Sequence, residues 1–145
     1  MIPKWLEIAF GEMGQKEIAG DDSNPRIKEY HQETSLKASN DDVPWCSAFT
    51  CWVFEKCLIP STKSAAARSW ASWGLKLDEP KLGCVVVLKS GWPWSGHVGL
   101  YLDHDSSFVY LIGGNQGDKV SIRIFKKDRV LAFRWPLSEE SSTLN

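Results

Sequence analysis

The sequence predicts an α+β domain in which N-terminal helices pack on a C-terminal antiparallel sheet of about five strands. Three observations carry this prediction. Up to Gly74 the apolar residues recur at helical spacing, whereas after Pro80 the chain changes to short β-rich runs. Short turns join those runs, which favours antiparallel neighbours, and helices followed by strands is the order of an α+β domain.

Each element follows from local sequence. Pro3 to Met13 sets Trp5, Leu6, Ala9 and Phe10 at spacings of one, three and four, with Pro3 suited to a first turn and Gly14 to an end. The Gly20–Pro25 stretch is a turn whose last residues supply an N-cap and an N1 proline for a short helix, Arg26 to His31. Polar sequence runs from Gln32 to Asp42. Asp41 or Asp42 then caps a central helix, Trp45 to Lys56, which carries Phe49, Trp52, Val53 and Phe54 and meets no breaker until Pro60. A further cap at Ser61 to Ser64 precedes a helix at Ala65 to Trp70, with Gly74 marking its end. The predicted strands are Cys84 to Leu88, His97 to Leu102, Phe108 to Ile112, Val120 to Phe125 and Val130 to Trp135. No repeat or low-complexity linker divides the chain, so residues 1–136 are expected to form one catalytic domain and 137–145 a polar tail.

Composition narrows the function classes. A chain of 145 residues with 43% hydrophobic and 24% charged residues is ordinary globular material. Seventeen basic against eighteen acidic residues leave a net charge of −1, so no global field holds the chain on nucleic acid or an anionic bilayer. Apolar runs such as Cys84 to Leu88 fall far short of the roughly 20 residues a membrane span needs, and the N-terminus lacks the pattern of a secretory signal. Cysteines at 46, 51, 57 and 84 include no Cys-x-x-Cys pair and no neighbouring histidine cluster, which argues against zinc and against a disulfide framework. Eight tryptophans favour a Trp-rich core over an aromatic groove. Asp21, Asp22, Asp41 and Asp42 lack the spacing of a calcium loop and serve as caps, so neither a metal nor a cofactor is expected.

Chemistry concentrates at Cys46. It falls in the first turn of the central helix, where unpaired N–H groups and the positive end of the helix dipole favour a thiolate. The other three cysteines read as small buried hydrophobes. Of the histidines, His31 ends a polar helix and His104 sits in a solvent-facing turn, so both belong to the surface. His97 opens a strand behind Gly96 and shares a face with Gly99 and Tyr101, which leaves room for substrate beside the imidazole a cysteine nucleophile requires. A hairpin turn centred near residue 105 sets His97 opposite residues near 113, within reach of Asn115 as the group orienting the ring, with Gln116 in reserve. Gly113-Gly114-Asn115-Gln116-Gly117 also reads as an ordinary turn. Six basic residues between Lys119 and Arg134, against Asp128 alone, read as a solvated strand face.

Pro44-Trp45-Cys46-Ser47-Ala48-Phe49, Ser64-Ala65-Ala66-Ala67-Arg68-Ser69-Trp70, Gly96-His97-Val98-Gly99 and Gly113-Gly114-Asn115-Gln116 occur in the order found in CHAP-type cysteine, histidine-dependent amidohydrolases/peptidases. The chain resembles the single-domain group of that papain-like superfamily found in phage and prophage regions and among bacterial antagonism effectors, from Trp5 through Trp135. The resemblance implies a papain-like fold and peptidoglycan as substrate. By motif it implies Cys46 as nucleophile, His97 as base and then acid, and Asn115 as the orienting group. Gly113 and Gly114 stand where many members carry an acidic residue, so the implied triad is Cys-His-Asn.

The expected activity is hydrolysis of a cell-wall amide, in the stem peptide or cross-bridge, by a lysis enzyme or an antibacterial effector. An N-acetylmuramoyl-L-alanine amidase with the same triad is the alternative, and a non-catalytic wall-binding or interaction module, or another papain relative, are further ones. Trp45, Trp92, Trp94 and Gln116 are the expected substrate contacts, the Gly91–Ser95 loop forming one groove wall. The partners expected are peptidoglycan and, for an effector, an immunity protein, with no nucleic acid and no membrane insertion; the chain is expected to be a monomer. It is made in the cytoplasm without a signal peptide and acts in the periplasm or wall after release or secretion.

Overall fold

The computed structural model describes residues 2–19, 23–38, 44–91 and 95–137. Three α-helices precede the sheet: α1 (Lys4–Gly11), α2 (Pro25–Gln32) and α3 (Cys46–Lys56). A 3-10 helix, Ala67–Ser72, replaces the α-helix expected at Ala65 to Trp70. The strands are β1 (Leu75–Leu77), β2 (Val85–Lys89), β3 (Gly96–His104), β4 (Phe108–Gly113), β5 (Ser121–Lys126) and β6 (Val130–Trp135). A second 3-10 turn, Lys127–Arg129, joins β5 to β6. The protein is therefore α+β, with a six-stranded antiparallel sheet in the order β1-β6-β2-β3-β4-β5. The additional strand, β1, is three residues long and exists by pairing with the end of β6, a long-range partnership its own sequence does not announce.

Local sequence accounts for the helix starts in part. Asn24 caps α2 by accepting from the Arg26 N–H at 2.8 Å, with Pro25 in the first turn. At α3 the N-cap is Trp45, which makes no side-chain capping bond, and the helix begins at Cys46 itself. The Asp41 and Asp42 caps expected there lie outside the described residues, as do Asp21, Asp22 and all of the expected tail beyond Leu137.

The core explains most of the tryptophan content. Of the six described tryptophans, Trp5, Trp45, Trp52, Trp70 and Trp135 are buried. Trp5 packs on Phe54 and edge-on to Trp135, and donates its indole N–H to the Gly83 carbonyl at 2.7 Å, so α1 is fixed to both α3 and the sheet. The central strand β2 is buried on both faces from Val85 to Leu88; β3 and β6 flank its edges and the first 3-10 helix packs against it. His31, expected at the surface, is buried on α2, because that helix packs against α3.

The basic stretch is only partly a solvated face. Arg123, Lys126 and Lys127 are exposed, but Arg134 turns inward to donate to the Trp73 and Gly74 carbonyls at 2.6 and 3.1 Å. Arg129 is likewise half-buried. No helix among the described residues is long and apolar enough to cross a membrane.

Candidate active site

The site forms where the first turn of α3 meets the start of β3 and the turn between β4 and β5. Cys46 is the first residue of α3, so the N–H groups of that turn lack carbonyl partners inside the helix. The helix start is anchored from two sides. Ser47 donates its hydroxyl to the Ser64 carbonyl at 2.6 Å and accepts the Trp70 indole N–H at 2.9 Å. Trp45, on the other side, donates its indole N–H to Glu17 at 2.9 Å and stacks on Tyr30.

His97 pairs with Leu88 across β2 and β3. Its side chain interacts with that of Cys46, each shifting the other's titration. Its Nε2 lies 2.8 Å from Gln116 Oε1. The Gln116 amide nitrogen donates to the Leu111 and Ser121 carbonyls at 3.1 and 2.7 Å. With both N–H bonds so used, only the amide oxygen can face His97, and the imidazole must carry its proton on Nε2. Nδ1 is left for Cys46.

The electrostatics match this pairing. Burial pushes the Cys46 thiol up, but the hydrogen bond to His97, the imidazole's charge and the main-chain N–H groups of Val98 and Ser47 outweigh it, leaving the thiol below its ordinary pKa. Burial pulls His97 down, but its contacts with Cys46 and the bond to Gln116 raise it net above the ordinary imidazole value. Cys46 also keeps 8% of its surface, whereas Cys51 and Cys84 keep none. Burial pushes the Cys84 thiol up to about 12, so it stays protonated and inert. No two of the four cysteines are joined by a disulfide.

The imidazole's partner is thus Gln116, one residue beyond Asn115. The hairpin turn is centred between Ser106 and Ser107, because Asp105 accepts from the Ser107 and Phe108 N–H groups at 2.8 Å. His104 consequently pairs with Val109 and Leu100 with Ile112, which carries His97 past residue 113 to the level of the following turn. Asn115 adopts φ +56° within that turn, and it is the next side chain that returns beneath the imidazole. The placement needs two glycines. A Cβ on Gly113 would stand 2.6 Å from Gln116 Oε1, and one on Gly114 would stand 2.6 Å from Phe49 Cβ and 2.9 Å from the Trp45 ring. Gly113 makes room for the amide and Gly114 lets the turn close on α3. Gln15 and Glu17 brace the same turn through main-chain bonds with Val120 and Asp118.

Two of the expected substrate contacts are buried. Trp45 has no exposed surface, being packed between Tyr30 and the turn, and Gln116 is buried with its amide fully engaged. Trp92 and Trp94 lie outside the described residues. Pattern reading missed Phe125 and Arg129. The Phe125 ring lies 5.1 Å from that of His97, centroid to centroid, and the Arg129 guanidinium sits 5.3 Å over the Phe125 ring. Both come from the far end of the chain, and only the crossing from β5 to β6 brings them to β3. Among the described residues no group of three or more His, Cys, Asp or Glu side chains is arranged to hold a metal ion. Chemically, the arrangement can supply a thiolate, an imidazole able to give and take a proton at Nδ1, and a fixed neutral amide behind it.

Comparison of the sequence with protein-family models and with curated proteins finds no match to either.

Proposed function

We propose that this protein is a cysteine-dependent amide hydrolase of the CHAP type, with a papain-like arrangement, acting on bacterial peptidoglycan. The observation that carries the reading is the chain Cys46–His97–Gln116, in which an immobilised amide oxygen engages Nε2 of the imidazole and leaves Nδ1 as the nitrogen available to the thiol. A cysteine heading a helix against an antiparallel sheet that carries the histidine supports it as well. The orienting member of the triad is Gln116 in this reading rather than Asn115.

The mechanism follows from the atoms. The Cys46 thiolate attacks the amide carbonyl carbon, forming a C–S bond and an oxyanion, for which the unpaired N–H of Cys46 at the helix start is the main-chain donor. Collapse breaks the C–N bond as the His97 imidazolium gives its Nδ1 proton to the departing amine. Water then loses a proton to Nδ1 and attacks the thioester, which releases the carboxylic acid product and returns the thiolate–imidazolium pair. Gln116 holds the ring throughout by accepting from Nε2–H. A stem-peptide or cross-bridge bond is the preferred target, acting either in lysis or in antagonism between bacteria.

The test is mass spectrometry of purified Gram-negative peptidoglycan after digestion with the wild type and with Cys46→Ala. New amine termini with the wild type alone sustain the reading, and the fragment masses name the bond. An unchanged wall with both proteins overturns it.

A further inference from the structure

Beside the Cys46–His97 pair stands a cation that the mechanism does not use. Arg129 occupies the last position of the turn that crosses from β5 to β6. Its Nε donates to the Lys89 carbonyl at 3.0 Å, and Lys89 is paired with Gly96, the residue before His97. Its guanidinium lies over the Phe125 ring at 5.3 Å, and that ring leans on the imidazole at 5.1 Å. The guanidinium is therefore held along one edge by the main chain and on one face by the ring. Among the described residues it forms no ion pair with a carboxylate. With Nε spent on the main chain, the two terminal amino groups remain as a planar fork, the geometry that receives a carboxylate through two parallel hydrogen bonds. Partial burial against an aromatic face strengthens such a bond by limiting solvent screening.

We propose that Arg129 is a carboxylate-binding subsite beside the reacting centre, so that the amide hydrolysed belongs to an acidic peptide with a free carboxylate next to the scissile bond. The proposal rests on the reading of Cys46 and His97 as a hydrolytic pair and adds the substrate's charge to it. Arg129 is close enough for its charge to oppose protonation of His97. A bound carboxylate offsets that charge, so the imidazolium needed to protonate the leaving amine is favoured when an acidic substrate is seated.

The experiment uses two alkylating reagents of nearly equal size, iodoacetate and the neutral iodoacetamide. In both, the Cys46 thiolate displaces iodide and forms an S–C bond. Rates at Cys46 are followed by mass spectrometry and divided by those of glutathione, a small free thiol with no guanidinium or imidazolium beside it. The subsite predicts an iodoacetate-to-iodoacetamide ratio at Cys46 about tenfold above that of glutathione. In Arg129→Gln the arginine-dependent part of the elevation is lost, the ratio dropping to the level the imidazolium alone sustains, while the iodoacetamide rate is retained. Since that variant keeps His97, it separates the arginine from the imidazolium, which also attracts anions. Arg129→Lys retains the charge without the fork and gives an intermediate ratio, which serves as the check should the Gln variant fold poorly. A wild-type ratio equal to that of glutathione overturns the subsite and leaves the hydrolytic pair standing, as does an elevated ratio left unchanged in Arg129→Gln. Failure of Cys46 to react with iodoacetamide removes the pair and the subsite together.

Discussion

His97 Nε2 meets Gln116 Oε1 at 2.8 Å, and the Gln116 amide cannot turn away, because its nitrogen is held by the Leu111 and Ser121 carbonyls. Turning the amide over would set a donor against the imidazole N–H and oxygen against two carbonyl oxygens, which burial makes costly. Asn115, half-buried one position earlier in the turn, is not held in this way among the described residues.

Gln116→Ala is expected to lower kcat for amide hydrolysis by about 10- to 100-fold, part of the 10²–10⁴ that a positioned acid–base group supplies. Asn115→Gly, which suits the left-handed conformation at that position, is expected to leave kcat near wild type. Parallel kinetics on one substrate check this pair. The opposite order of effects would return the orienting role to Asn115.

The pH dependence has a definite sign. Cys46 is shifted below the ordinary thiol pKa and His97 above the ordinary imidazole value, so both shifts favour the thiolate–imidazolium pair. Activity falls on the acid side as the thiolate takes a proton, and on the alkaline side as His97 loses one. In His97→Ala, burial acts on the thiol without its main opponent, so the Cys46 pKa rises and iodoacetamide labelling at neutral pH slows. In Cys46→Ala, burial is left to pull His97 down, and its titration by NMR moves to lower pH. Cys84 stays unlabelled in all of them.

The adjacent glycines are expected to fail differently. Gly113→Ala drives a methyl group into the Gln116 amide, so activity drops while the fold persists. Gly114→Ala drives one into Phe49 and Trp45 within the core, with a stability loss of about 1–3 kcal/mol, the usual range for overpacking. Denaturant melts and kcat measured on the same preparations separate the two.

Ser47→Ala removes the acceptor of the buried Trp70 indole and the donor to the Ser64 carbonyl. An unsatisfied buried donor costs about 1–3 kcal/mol, and thermal unfolding should shift down accordingly. Because Ser47 holds the first turn of α3, its loss should also loosen Cys46. The resulting rise in the thiol pKa would appear as an acid limb displaced toward neutral pH.

Much of this architecture is written in local sequence. Helical spacing at Trp5 to Phe10, the Asn24-Pro25 cap and the β-rich runs after Pro80 act through contacts a few residues apart, and the corresponding elements stand within a few residues of their predicted limits. Strand β1 does not, since three residues hold an extended form only because β6 lies alongside. The 3-10 turn at Ala67–Ser72 likewise reflects tertiary anchoring, its Trp70 being tied to Ser47. Cys46 and His97 were legible as a pair because position at a helix start and glycine flanks at a strand start are local properties.

Sequence by itself determined the α+β class, the helix that presents Cys46 and the strand that presents His97. Only the tertiary structure decided between Asn115 and Gln116. That choice depends on where the β3–β4 hairpin turns, on space left by two glycines, and on which amide finds carbonyls to hold its N–H bonds. The same holds for Phe125 and Arg129, which lie about thirty residues from His97 in the chain: the fold lays the Phe125 ring against the imidazole and the Arg129 guanidinium over Phe125. Periodicity reports which face of an element is apolar; register and close packing, set by the whole core, determine which polar atoms meet.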